Sequence, residues 1–140
     1  MSVVQPEGWP RAPGLSYGIA GTCCRQLLIA GQLGGDSGAC APRPGEGFAA
    51  QFIKSLQNVV AVVAAAGGVP SDIASLRVFV TSIDDFKNAQ PEIASAWRTI
   101  LGRHFPAMTM VEVRALFEKE AMVEIEGVAL LKMEGLEDEV

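Results

Sequence analysis

The sequence predicts an α+β fold: a single mixed β-sheet with two helices on one of its faces, in the chain order β-β-α-β-α-β-β. Three observations predict it. Across residues 105–130, Met108, Met110 and Glu112 interleave with Thr109, Val111 and Val113, and Glu124 and Glu126 interleave with Val123 and Ile125. This period-two alternation marks two strands, each with one buried face. Across residues 48–66, Phe48, Phe52, Leu56, Val59, Val60 and Val63 recur at spacings of three and four, which lays one apolar stripe along a helix. Finally, strands alternate with helical crossovers through the middle of the chain, the pattern of a partly parallel sheet covered on one side. The opposite face then has no cover within one chain, and a second copy of the chain is the expected cover.

Each element has its own reason. Residues 1–14 read as an extended arm, with Pro6, Pro10 and Pro13 and one large apolar anchor, Trp9. Residues 15–20 and 26–32 read as strands of a hairpin joined across a turn at 21–25. The glycine- and proline-rich stretch 33–47 is a loop, and it lacks the spacing of a phosphate cradle. Gly67 and Gly68 end the first helix and Pro70 blocks its continuation. Residues 76–81 (LRVFVT) form a strand of β-branched and aromatic residues. The second helix starts at Asp84 or Asp85, where acids suit the helix N-terminus. It buries Phe86, Ile93, Trp97, Ile100 and Leu101, and Gly102 ends it. Pro91 predicts a break or kink, with the main helix over 91–101. Residues 133–140 form an acidic tail, so that the folded domain is expected over 15–132.

A chain of 140 residues with 49% apolar content is one domain with a sizeable core and apolar surface left for a partner subunit. The formal net charge of -5, with 11 scattered basic residues, argues against a nucleic-acid footprint. No apolar leader opens the sequence, and the longest apolar run, 59–69, is too short to span a bilayer. A cytoplasmic protein with no membrane partner is expected. Cys23, Cys24 and Cys40 match no metal-ligand spacing and read as free thiols. Neither a metal nor a cofactor is expected.

The motif P-A-x-[ST]-x-V-E-V, present as PAMTMVEV at residues 106–113, is followed after about a dozen residues by VEIE at 123–126. Further fragments in matching order are GLSY at 14–17, AGQ at 30–32, Gln51, Asn58-Val59, AAG at 65–67, VFVT at 78–81 and Asp85-Phe86. Together they make the chain resemble the YjgF/RidA family of reactive-intermediate deaminases, formerly described as endoribonuclease L-PSP or translation-initiation inhibitors. The resemblance spans roughly residues 14–130. It implies a chorismate-mutase-like fold, a homotrimer, and small-molecule clefts between subunits. It also implies hydrolysis of enamines or imines with release of ammonia.

Residue by residue, the resemblance makes Glu124 the carboxylate that positions or activates water. Tyr17 takes the place of the cleft tyrosine, and Gly31 that of the glycine whose backbone lines the pocket. Ala30 stands where a serine is frequent, and Met110 where a cysteine is frequent. Met108 stands where deaminating members carry the arginine that grips the substrate carboxylate. An arginine fork makes two charge-assisted hydrogen bonds, and losing it costs on the order of 2–5 kcal/mol of carboxylate binding. Methionine offers only a flexible apolar contact. The expected substrate is therefore not the usual α-imino acid. Arg103 and His104 precede the strand and are placed to reach the pocket mouth. Arg114, six residues from Met108 and about 20 Å along a strand, could serve only across a subunit boundary.

Other readings stand beside these. Glu124 is equally read as a structural carboxylate held by backbone N–H groups. Glu112 and Glu126 read as solvated or paired, and Gln51 and Asn58 as residues that hold a loop. Met108, Met110 and Met122 are equally read as core filling. A non-catalytic metabolite-binding or protein-interacting trimer is the alternative function. Ribonuclease activity rests on the older family names alone.

Overall fold

A computed structural model describes residues 1–36 and 41–133. Cys40 and the acidic tail beyond Met133 lie outside the described residues. Six strands and two helices follow one another as β1 (Ser2–Val4), β2 (Gly18–Ala20), β3 (Cys24–Leu33), α1 (Phe48–Ala65), β4 (Ile73–Val80), α2 (Ile83–Leu101), β5 (Ala107–Glu112) and β6 (Val123–Lys132). A short 3-10 turn, Pro70–Asp72, leads into β4.

The main sheet has the strand order β3-β6-β4-β5. β6 runs antiparallel to both β3 and β4, and β5 runs parallel to β4. The last strand therefore slots into the middle of the sheet, between strands that a helix had already connected. Both β-α-β crossovers lay their helices on one face, as the alternation of strands and helices predicts. Ile29 from β3, Leu76, Val78 and Val80 from β4, and Val123, Ile125 and Ala129 from β6 point into that layer. They meet Phe52, Leu56, Val59 and Val63 of α1, and Ile93, Trp97 and Leu101 of α2.

By length and composition alone α1, Phe48–Ala65, could cross a bilayer, a test that a core helix also passes; it is a different stretch from the apolar run 59–69. Here it is the central core helix. It buries Gln51, Ser55 and Asn58 along with its apolar stripe, and the two amides are used as structural ties. The Gln51 amide donates to the carbonyls of Glu46 and Glu120, both at 3.1 Å, and accepts from Met122 N–H at 2.8 Å. The Asn58 amide donates to the carbonyls of Leu33 at 2.9 Å and Gly35 at 3.0 Å. Both residues hold loops, and α1 thereby fixes the end of β3 and the start of β6. Gly34 permits this: a Cβ there would lie 2.7 Å from the Gln51 Cα, so the two backbones touch.

Two expectations are corrected. β2 does not pair with β3. It pairs antiparallel with β1 from the arm, Ser2 opposite Ala20 and Val4 opposite Gly18. Ser16, two residues before β2, instead bridges to Ala107, the first residue of β5. The main-sheet partner of β3 is β6, which buries far more apolar surface than a short, half-exposed strand would. Second, Pro91 does not divide α2, which runs unbroken from Ile83 to Leu101. Pro91 and Lys87 are both exposed, so the Lys87 carbonyl that loses its helical partner is open to water. Ser82 caps this helix, its hydroxyl accepting from Asp85 N–H at 3.1 Å.

Candidate functional site

Three carboxylates lie in the β5 and β6 strands, and their surroundings separate them. Glu112 accepts a hydrogen bond from Ile83 N–H at 3.0 Å, which ties β5 to the start of α2. Glu126 faces Arg77 at 3.3 Å across the β4–β6 ladder. Glu124 is half-buried, and among the described residues it has neither an ion pair nor a hydrogen-bonded side-chain partner. Its neighbours in register, Leu33 on β3 and Phe79 on β4, share its face of the sheet and are apolar. A carboxylate in such a place keeps its lone pairs for a ligand or water.

The backbone beside Glu124 is shaped for it. β3 is bulged between Ile29 and Gln32, so that Ala30 and Gly31 together oppose Glu126 alone. The bulge brings Gly31 up against the Glu124 side chain. A Cβ at Gly31 would run into the Glu124 carboxylate Oε1 and lie 2.7 Å from its Cδ. Only glycine leaves this room. The Ala30 carbonyl, turned out of the ladder by the bulge, accepts from the Gln32 amide at 3.1 Å. Glu124, Gly31 and Ala30 thus form one unit on the open face of the sheet.

Met108 belongs to a different surface. It pairs with Leu76 and, with Met110, points to the helix side of the sheet. All three methionines, Met122 included, pack against the core. Met108 and Met110 also form the floor of an apolar cleft of about 220 Å³ between β5 and α2. Phe52, Phe86, Trp97 and Phe105 line it, and among the described residues Arg98 is the only charged one in its lining. Helical periodicity puts Trp97 and Phe86 on a buried face without assigning them to a cleft, and it does not single out Arg98. Helical spacing carried the signal, since Ala94 and Arg98 lie one turn apart beside Trp97 on the side of α2 that meets β5. Within one chain Met108 and Glu124 therefore lie on opposite faces of the sheet.

Tyr17 is 39% exposed and is not part of the Met108 cleft. Its hydroxyl donates to the Pro10 carbonyl at 2.8 Å, and its ring meets Trp9 edge-on with centroids 5.0 Å apart. Trp9 thus anchors the arm through Tyr17, at the protein surface. Arg103 and His104 line a larger neighbouring cleft beneath the arm, which shares Gly14 and Phe105 with that of Met108. Among the described residues no cluster of His, Cys, Asp or Glu is arranged to hold a metal ion.

A mixed four-stranded sheet carrying two helices on one face places the chain in a class of small α+β proteins. Solved members resemble this chain closely. The Rid-family protein YyfB from Yersinia pestis superposes with a TM-score of 0.78 at 28% identity, covering 93% of this chain and 98% of its own. The YjgF gene product of E. coli gives a TM-score of 0.60 at 30% identity, with 93% and 98% covered. The profile described as Endoribonuclease L-PSP matches residues 12–131. The chain belongs to this family, also known as YjgF/RidA. Its relatives include the 2-iminobutanoate/2-iminopropanoate deaminase of Salmonella typhimurium, 37% identical over 106 residues, covering 74% of this chain and 78% of that one. A RutC family protein of Pasteurella multocida is 32% identical over 131 residues, covering 91% and 96%.

Proposed function

We propose that the chain is an enamine/imine deaminase working as a homotrimer, with each site shared between two copies. The observation that carries this reading is the half-buried Glu124, left without a partner and seated against the bare Cα of Gly31. The likeness to 2-iminobutanoate/2-iminopropanoate deaminases supports the reaction class. A cleft shared between copies accounts for Glu124 and Met108 lying on opposite faces of one sheet: the Glu124 face of one copy would close over the Met108 face of the next.

In the proposed reaction an enamine first tautomerises to its imine. Glu124 takes a proton from water as the water oxygen attacks the carbon of C=N, and the proton passes to the nitrogen. The tetrahedral carbinolamine then expels ammonia and leaves the carbonyl compound. General base assistance of this kind contributes roughly 10²–10⁴-fold. Gly31 and Ala30 frame the substrate beside the carboxylate, while Met108 and its aromatic neighbours favour an apolar substituent. Tyr17, tied to the arm, frames the edge of the site. The substrate is set apart from small α-imino acids by Met108.

The test is ammonia release from freshly generated imines, comparing 2-iminopropanoate with branched and aromatic homologues. The native chain is expected to prefer the bulkier substrates, and Glu124→Gln to lose the acceleration. An unchanged rate in Glu124→Gln would rule out the role given to Glu124. A second reading, a binding trimer without chemistry, draws on Met108 and Ala30 standing where arginine and serine are frequent in the family. It predicts ligand-induced thermal stabilisation with no ammonia released.

A further inference from the structure

We propose a second ligand site, for a small aromatic phosphate, in the cleft between the N-terminal arm and the turn after α2. The cleft measures about 730 Å³. Trp9 and Arg11 from the arm form one wall, and Arg103, His104 and Phe105 from the turn form the other. Among the described residues its lining holds two arginines and the chain's single histidine, and no carboxylate. In a sequence with 16 acidic and 11 basic residues, that is a local reversal of charge. Among the described residues neither Arg11 nor Arg103 has an ion-pair partner. Two exposed guanidiniums lining one cleft without an ion-pair partner among the described residues leave their donors open to an anion, and a phosphate dianion answers more than one cation at once.

The cleft is built and not merely left by a loose arm. Ser16 N–H donates to the Pro106 carbonyl at 3.1 Å and the Ser16 hydroxyl to the Phe105 carbonyl at 2.6 Å, stitching the arm's end to the turn. Tyr17 holds the middle of the arm at Pro10, and β1 pairs with β2. On the other wall, His104 Nε2 lies 2.6 Å from the Ile73 carbonyl, so Nε2 carries the proton and donates, leaving Nδ1 as the ring's other polar atom. The His104 carbonyl accepts from the Trp97 indole at 3.2 Å. Trp9, 56% exposed and turned edge-on to Tyr17, has ring surface free for a planar ligand. Cations for the phosphate and an aromatic surface for the ring are thus gathered in one cleft.

The site is tested by calorimetry on the intact chain with phenyl phosphate, inorganic phosphate and benzoate, with tryptophan fluorescence followed in parallel. Phenyl phosphate is expected to bind saturably and to change the fluorescence. Inorganic phosphate is expected to compete without that change, and benzoate to bind about ten-fold more weakly than phenyl phosphate, because a monoanion answers fewer cations. Arg11→Ala and Arg103→Ala are each expected to weaken phenyl phosphate about ten-fold or more, while Trp9→Phe keeps binding and loses the optical signal. No saturable binding by the native chain, or equal affinity in the folded double variant Arg11→Ala/Arg103→Ala, would overturn the proposal. The readout is binding alone, so it stands or falls apart from the deaminase reading.

Discussion

Glu124 and Gly31 act as a pair, and a single methyl group tests the pairing. Gly31→Ala places a Cβ where the Glu124 carboxylate sits, so one of the two must move. The clash is with the end of a flexible, half-buried side chain that can swing aside, so the cost falls on the position of the carboxylate and little on stability. The expected outcome is a folded chain with ammonia release reduced at least ten-fold, read in the same assay as Glu124→Gln. At the Met108 cleft, Arg98→Ala is expected to raise KM for anionic imines more than for neutral ones, because Arg98 is the only charge that the described residues bring to the lining. An equal change for both classes would show that the guanidinium does not meet the substrate. Sequence alternation could say that Glu112, Glu124 and Glu126 are strand residues. It could not say which is free, because that depends on Arg77 lying opposite Glu126 and Ile83 N–H reaching Glu112. In the same way, alternation assigns Met108 and Glu124 each to a face of its own strand. Whether the two faces coincide is decided by the register through β4, where Met108 pairs with Leu76 and Glu124 with Phe79.

Among the elements, α1 is the structural hub, and its buried glutamine is the most exacting part of it. Gln51→Leu keeps the volume roughly constant but removes three hydrogen bonds and leaves the Glu120 carbonyl and Met122 N–H without their partner. A loss of about 2–4 kcal/mol is expected in urea unfolding, with the midpoint shifted and the slope unchanged. Pro91→Ala is expected to do the opposite. It restores a hydrogen bond in mid-helix at an exposed site and should raise stability by about 1–3 kcal/mol, seen as a higher Tm. The helices were legible because each carries a long apolar stripe with clear stops. The hairpin was not, since residues 18–20 are equally fit to pair with any nearby edge. What selected β1 was the course of the arm, turned back through Trp9, Tyr17 and Pro10, and no local signal records that.

For the whole molecule, the order of elements was legible but the order of strands was not. β6 enters between β3 and β4, and such a long-range choice leaves no mark on local periodicity. The face away from the helices carries Leu28 at 73% exposure together with Val111, beside the Arg77–Glu126 pair. If this is where copies meet, Leu28→Asp should lower the mass measured by light scattering from the trimer value towards that of one chain. Phe117, 96% exposed between β5 and β6, is a second apolar point that an assembly would cover. The two-faced arrangement of Glu124 and Met108 also has a genetic consequence. A chain disabled at Glu124 and another with its cleft blocked by Ala94→Trp would each be inactive alone. If the chain forms the proposed trimer, the two expressed together would assort into mixed rings in which an intact carboxylate meets an intact cleft at about a quarter of the junctions. Two dead alleles would then complement one another within a single assembly.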